Sequence, residues 1–120
     1  MFTLQMREIL FYKQLSGKSP IEEFIDSLNE KQARKILWTL KLVRSIERVP
    51  DEFLRKLKGS DDIWEARVKF GNNIFRILGF NNDNRIIMTN AFAKKSQKTP
   101  KNEIKIAENR KKEYYERKIN

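Results

Sequence analysis

Arg67 and Arg76 stand on segments that read as neighbouring strands, and Lys94 and Lys95 follow the end of a third. In an antiparallel hairpin such residues converge on one rim. Arginine offers a planar fork that grips a phosphate through two hydrogen bonds, while lysine offers a compact charge whose pKa falls with burial or with a second cation nearby. Together they suit phosphodiester chemistry that uses no imidazole. The chain contains no His and no Cys, so a histidine base, a thiolate nucleophile and Cys/His zinc sites are excluded at the outset. Carboxylates offer little in their place. Asp61-Asp62 reads as turn chemistry rather than a metal pair, and Glu65 beside Arg67 reads more simply as a strand ion pair than as a base. The simple reading of Arg67 and Lys69 is a solvated sheet face. Arg76, among apolar neighbours, fits that reading less well.

The composition points the same way. The 120 residues carry 26 Lys+Arg against 16 Asp+Glu, a net charge of +10. Residues 91–120 alone hold 10 basic and 4 acidic side chains. A polyanion, RNA or DNA, is therefore the expected partner rather than an acidic small molecule. Trp38 and Trp64 could stack on bases, although at these phases aromatic residues more often belong to a core. The longest apolar run is Ile9 to Tyr12, too short for a spanning helix or a secretory segment, so a soluble cytoplasmic protein without a membrane partner is expected.

Those cations must be positioned by a small fold, and the length suits one domain over residues 1–120. Arg7 to Lys13 reads as a first strand. Ser19, Pro20 and Glu22 form a capping-box pattern, and Ile21, Phe24, Ile25 and Leu28 give the following helix one apolar face. Asn29 caps a second helix with Ala33, Ile36, Leu37, Leu40 and Val43 inside, closed by Pro50. Beyond Phe53 the period falls toward two: Trp64, Ala66, Val68 and Phe70 alternate with Glu65, Arg67 and Lys69. Turns at Gly71-Asn72-Asn73 and Asn81-Asn82-Asp83-Asn84 make this an antiparallel meander with strands at Ile74 to Phe80 and Arg85 to about Phe92. Thr99-Pro100 opens a final helix whose narrow stripe of Ile104, Ala107 and Tyr114 predicts loose packing. The fold class is α+β, with an N-terminal strand and helical hairpin packed on a twisted antiparallel sheet and a C-terminal helix.

The ordered set Phe11-Tyr12-Lys13, Gly17-Lys18-Ser19-Pro20, Glu22-Glu23-Phe24, Leu57-Lys58-Gly59, Trp64-Glu65-Ala66-Arg67, Phe75-Arg76-Ile77 and Phe92 through Pro100, with Ala107, resembles the RelE/HigB superfamily. These are toxins of bacterial type II toxin–antitoxin modules, and the likeness is to their phage-derived, HigB-like branch. The resemblance implies a RelE-like fold and a metal-independent, cofactor-free endoribonuclease that cuts mRNA in the ribosomal A site. It places Arg67 and Arg76 at the phosphate and makes Lys94 or Lys95 the base or acid. Lys56, Lys58, Lys69, Lys98 and Lys101 would hold mRNA or ribosomal RNA. Where several relatives carry His or Tyr, this chain has Asn90 and Ile104. The implied protein partner is a cognate antitoxin, often of the helix-turn-helix type. Two alternatives stay open: a toxin of the same fold that inhibits a topoisomerase, as in the ParE branch, and a basic module that binds RNA without cutting it.

Overall fold

The computed structural model describes residues 7–93 and 98–119. Three helices and five strands follow in the order β1 (Glu8–Phe11), α1 (Pro20–Asp26), α2 (Glu30–Ser45), β2 (Leu54–Lys56), β3 (Ile63–Phe70), β4 (Asn73–Asn82), β5 (Arg85–Ala93) and α3 (Lys101–Ile119). The strands form one sheet in the order β1-β5-β4-β3-β2. The meander β3-β4-β5 is antiparallel as expected. β1 lies parallel to β5, Glu8 opposite Arg85, so the sheet is mixed and not wholly antiparallel.

Local signals start the helices. The Ser19 hydroxyl accepts from the Glu22 amide at 3.2 Å with Pro20 in the first turn. The reciprocal capping box forms at α2, not α1: Asn29 accepts from the Gln32 amide at 2.9 Å, and the Gln32 side chain accepts from the Asn29 amide at 3.2 Å. Each device satisfies amides that the first turn leaves without a helical partner.

The sheet is covered on both faces. One core joins Ile21, Ile36, Leu40 and Val43 of the helical hairpin to Ala66, Val68, Phe75, Ile77, Ile86 and Met88. The other joins Ile63, Leu78, Phe80 and Ile87 to Tyr12, Leu57 and Ala107 beneath α3. This second layer overturns the loose packing expected of α3. Its apolar stripe is narrow, but polar contacts tie it down along its length. Asn90 donates to the Glu103 carboxylate at 2.9 Å, Arg110 to the Thr89 carbonyl at 2.8 Å, and Arg117 to the Lys13 carbonyl at 2.7 Å. Tyr12 donates to Glu113 at 2.7 Å. Burial and this bond push the Tyr12 pKa up, while bonds from Arg117 and Tyr12 hold the Glu113 carboxyl below its ordinary range.

The register of β4 against β5 shifts between Leu78 and Gly79: Leu78 pairs with Asn90, and Gly79 with Met88. Thr89 is thus an extra residue, a bulge that sends Asn90 and Phe92 to the α3 face and Ala91 to the other. Gly79 makes the close approach possible. A Cβ there would stand 2.5 Å from the Ile87 carbonyl oxygen and 3.0 Å from the Met88 sulfur. Gly79→Ala is therefore expected to destabilise the fold by about 1–3 kcal/mol, read as a lower urea midpoint with an unchanged slope.

Candidate functional site

The meander brings charged residues of three strands together on the face that α3 covers. Arg55 of β2 lies opposite Glu65 of β3, and Arg67 of β3 lies directly opposite Arg76 of β4. Two arginines facing each other across a pair of strands repel. Glu65 resolves the conflict. Its carboxylate is 3.4 Å from Arg76 Nη1, 3.4 Å from Arg55 Nε and 3.8 Å from Arg67 Nε. The Thr99 hydroxyl donates to the same carboxylate and accepts from Arg76 Nη1 at 3.2 Å. A buried charge survives in a protein only when paired and hydrogen-bonded; Glu65 Oε2 has both, from Arg76 and Thr99, while Oε1 meets Arg55 and Arg67 as ion pairs without a hydrogen bond.

The charge balance determines what the cluster can do. Three guanidinium groups surround one carboxylate, so two positive charges remain in surplus. Glu65 and Arg76 have no exposed surface, whereas the Arg67 side chain is 23% exposed and that of Arg55 is 40%. The surplus therefore faces solvent through Arg55 and Arg67, where an anion can meet it. The alternation that seemed to put Glu65 and Arg67 on a solvated face is real, but α3 and the segment leading into it cover that face. Glu65 is an ion-pair carboxylate, as its position beside Arg67 suggested. Arg76 is buried and, among the described residues, bonds to Glu65 and Thr99.

Beside the cluster runs a cleft of about 810 Å³ whose cationic lining is Arg55, Lys56, Lys58 and Lys98. Trp64 and Ile104 form part of its wall. Three of the expected RNA-binding lysines thus share one cleft, with Lys56 also paired to Asp62. Lys69 does not join them. It lines a separate pocket of about 170 Å³ with Arg67 and with Lys35 of α2. Lys101 is exposed at the start of α3, outside the lining of the cleft. Lys94 and Lys95 lie outside the described residues.

Two participants escaped sequence reasoning. Arg55 sits on a strand of three residues, too short for a period to show, and only its pairing opposite Glu65 reveals it. Thr99 reads as a helix cap, yet the first turn of α3 is closed by the Pro100 carbonyl, which accepts from the Ile104 amide at 3.2 Å. The Thr99 hydroxyl turns to Glu65 instead. Asn90 is buried and bonded to Glu103, and so ties α3 to the sheet.

Comparison with known proteins bears on this arrangement. No curated protein matches the chain. Among solved structures, the archaeal RelE–RelB complex from Pyrococcus horikoshii contains a chain 20% identical to this one, with a TM-score of 0.49 over 78% of this chain and 99% of that one. The family model described as phage-derived protein, Gp49-like, matches residues 23–112, a stretch running from α1 into α3 that contains the whole cluster around Glu65. The chain belongs to this Gp49-like family, a family of RelE/HigB-type toxins.

Proposed function

We propose that this protein is a toxin that cuts mRNA on the ribosome in the cytoplasm, without a metal or cofactor, and that a cognate antitoxin restrains it. The observation that carries this reading is the surplus of two positive charges around Glu65, open to solvent beside a cleft lined by Lys56, Lys58 and Lys98. RNA cleavage by its own 2′-OH needs four things: a proton acceptor, charge stabilisation at the pentavalent phosphate, a proton donor for the leaving oxygen, and alignment of the reacting atoms. Arg67 supplies the stabilising charge, and Arg55 extends it toward the cleft. Arg76 is a positioning residue that holds Glu65, and through it the other two guanidinium groups. Lys94 and Lys95 are proposed as base and acid. Lys56, Lys58 and Lys98 hold the backbone of mRNA or ribosomal RNA, with Lys69 and Lys101 as outlying contacts.

Primer extension on cellular mRNA after induction tests the proposal. Cuts in phase with codons are expected from the native chain and not from Arg67→Ala. Growth arrest without such cuts would contradict it and favour a topoisomerase target.

A further inference from the structure

Among the described residues β1 is an edge strand, with β5 on one side and no strand on the other. Along its open side runs a groove of about 260 Å³ between the strand and α2, floored by Ile9, Phe11 and Leu40, with Leu37, Lys41 and Arg44 on its rim. Leu37 is 51% exposed and Leu10 36%. Arg44 also lines a polar cavity of about 650 Å³, together with Arg7, Glu8, Asp83 and Arg85. Arg7 is committed to the end of α2, donating to the Ile46 and Glu47 carbonyls, and Arg85 pairs with Glu8. Lys41 and Arg44 form no ion pair among the described residues.

An open strand edge supplies backbone donors and acceptors, and an adjacent apolar groove accepts alternate side chains; together they select an extended peptide. The unpaired cations on the rim select an acidic one. A second copy of this chain is a poor occupant. It would bring the same Lys41 and Arg44 to the same groove, on a chain that itself carries +10. RNA matches the charge but has neither the peptide hydrogen-bonding pattern nor apolar side chains for Ile9, Phe11 and Leu37.

We propose that the β1–α2 groove docks an extended, acidic segment of the antitoxin, which adds beside β1, sets an apolar side chain against Leu37 and Phe11, and places carboxylates at Lys41 and Arg44. This rests on the antitoxin reading given above. β1 and β2 are opposite edges of the sheet, four strand spacings or roughly 19 Å apart. Substitutions in the groove and in the cleft are therefore separable.

The test uses the full chain and, as probe, the product of the gene adjacent to its own. Leu37→Glu and Arg44→Glu change exposed side chains. Each is expected to weaken binding at least tenfold, leave growth arrest by the free toxin unchanged, and reduce rescue on co-expression, while Lys98→Glu in the cleft leaves affinity within twofold. In the native complex, the Ile9 and Phe11 amides should gain protection from hydrogen exchange. Native affinity in both groove variants, loss of binding in Lys98→Glu alone, failure of the probe to bind, or a dimer of the free chain that Leu37→Glu dissociates would each overturn the proposal. Primer extension with the toxin alone judges the nuclease reading separately.

Discussion

Glu65→Ala is expected to cost about 3–5 kcal/mol of stability, because it leaves a buried guanidinium without its carboxylate. At this chain length the loss corresponds to a fall in melting temperature of roughly 10–20 °C. The expectation follows from geometry: Arg76 and Glu65 are both wholly buried, and the Thr99 hydroxyl bonds to each. Arg55 and Arg67 keep part of their surface in water and can be hydrated when the carboxylate is lost. Arg76 cannot. Replacing both members, Glu65→Leu with Arg76→Met, is expected to recover much of the loss, since an apolar pair of similar volume removes two desolvation penalties at once. Thermal unfolding of the two variants is the check. A Glu65→Ala protein melting within 2–3 °C of the native one, a change of less than about 1 kcal/mol, would mean that Glu65 does not organise the cluster.

The second large effect falls on activity. Arg67→Ala is expected to lower the rate of RNA cleavage by about 100-fold or more, the scale seen when one preorganised donor to a developing oxyanion is removed. The half-buried Arg67 side chain faces Glu65 on one side and solvent on the other, so its removal leaves the Glu65–Arg76 pair in place. The fold should survive with little change. Arg67→Lys should regain only part of the rate, because an ammonium group keeps the charge but loses the two-pronged grip. Single-turnover cleavage on programmed ribosomes measures both. A rate within threefold of native for Arg67→Ala would remove Arg67 from the chemistry.

Much of this fold is visible in the residues themselves. Ser19-Pro20 and Asn29 start helices where the structure has them, and turns at Gly71-Asn72 and Asp83-Asn84 separate the strands of the meander, with β4 running on through Asn81 and Asn82, which the sequence assigned to the turn. What stayed hidden was non-local. The parallel pairing of β1 joins Glu8 to Arg85, and no periodicity within either segment reports that. β2 pairs over three residues, too few to show an alternation. The bulge at Thr89 reassigns faces within β5 without a local signal beyond the need for Gly79 opposite.

The site was legible in part for the same reason. Alternation along β3 correctly put Glu65, Arg67 and Lys69 on one face, but the burial of that face depends on α3, whose narrow stripe suggested loose attachment. Arg76 stood out because its neighbours are apolar, and the structure gives the physical reason: it is the counter-ion of a buried carboxylate. Arg55 and Thr99 became visible only once the strands were paired and α3 was docked.

The most direct measurement is the chemistry of the cut ends. Purified protein is added to ribosomes carrying a defined mRNA, and the termini are analysed beside a substrate with a single 2′-deoxy nucleotide at the cleaved position. Attack by the 2′-OH, stabilised by the Arg67 cluster, leaves a 2′,3′-cyclic phosphate and a 5′-hydroxyl and spares the deoxy substrate. Cleavage of the deoxy substrate, or products ending in 5′-phosphate and 3′-hydroxyl, would contradict it.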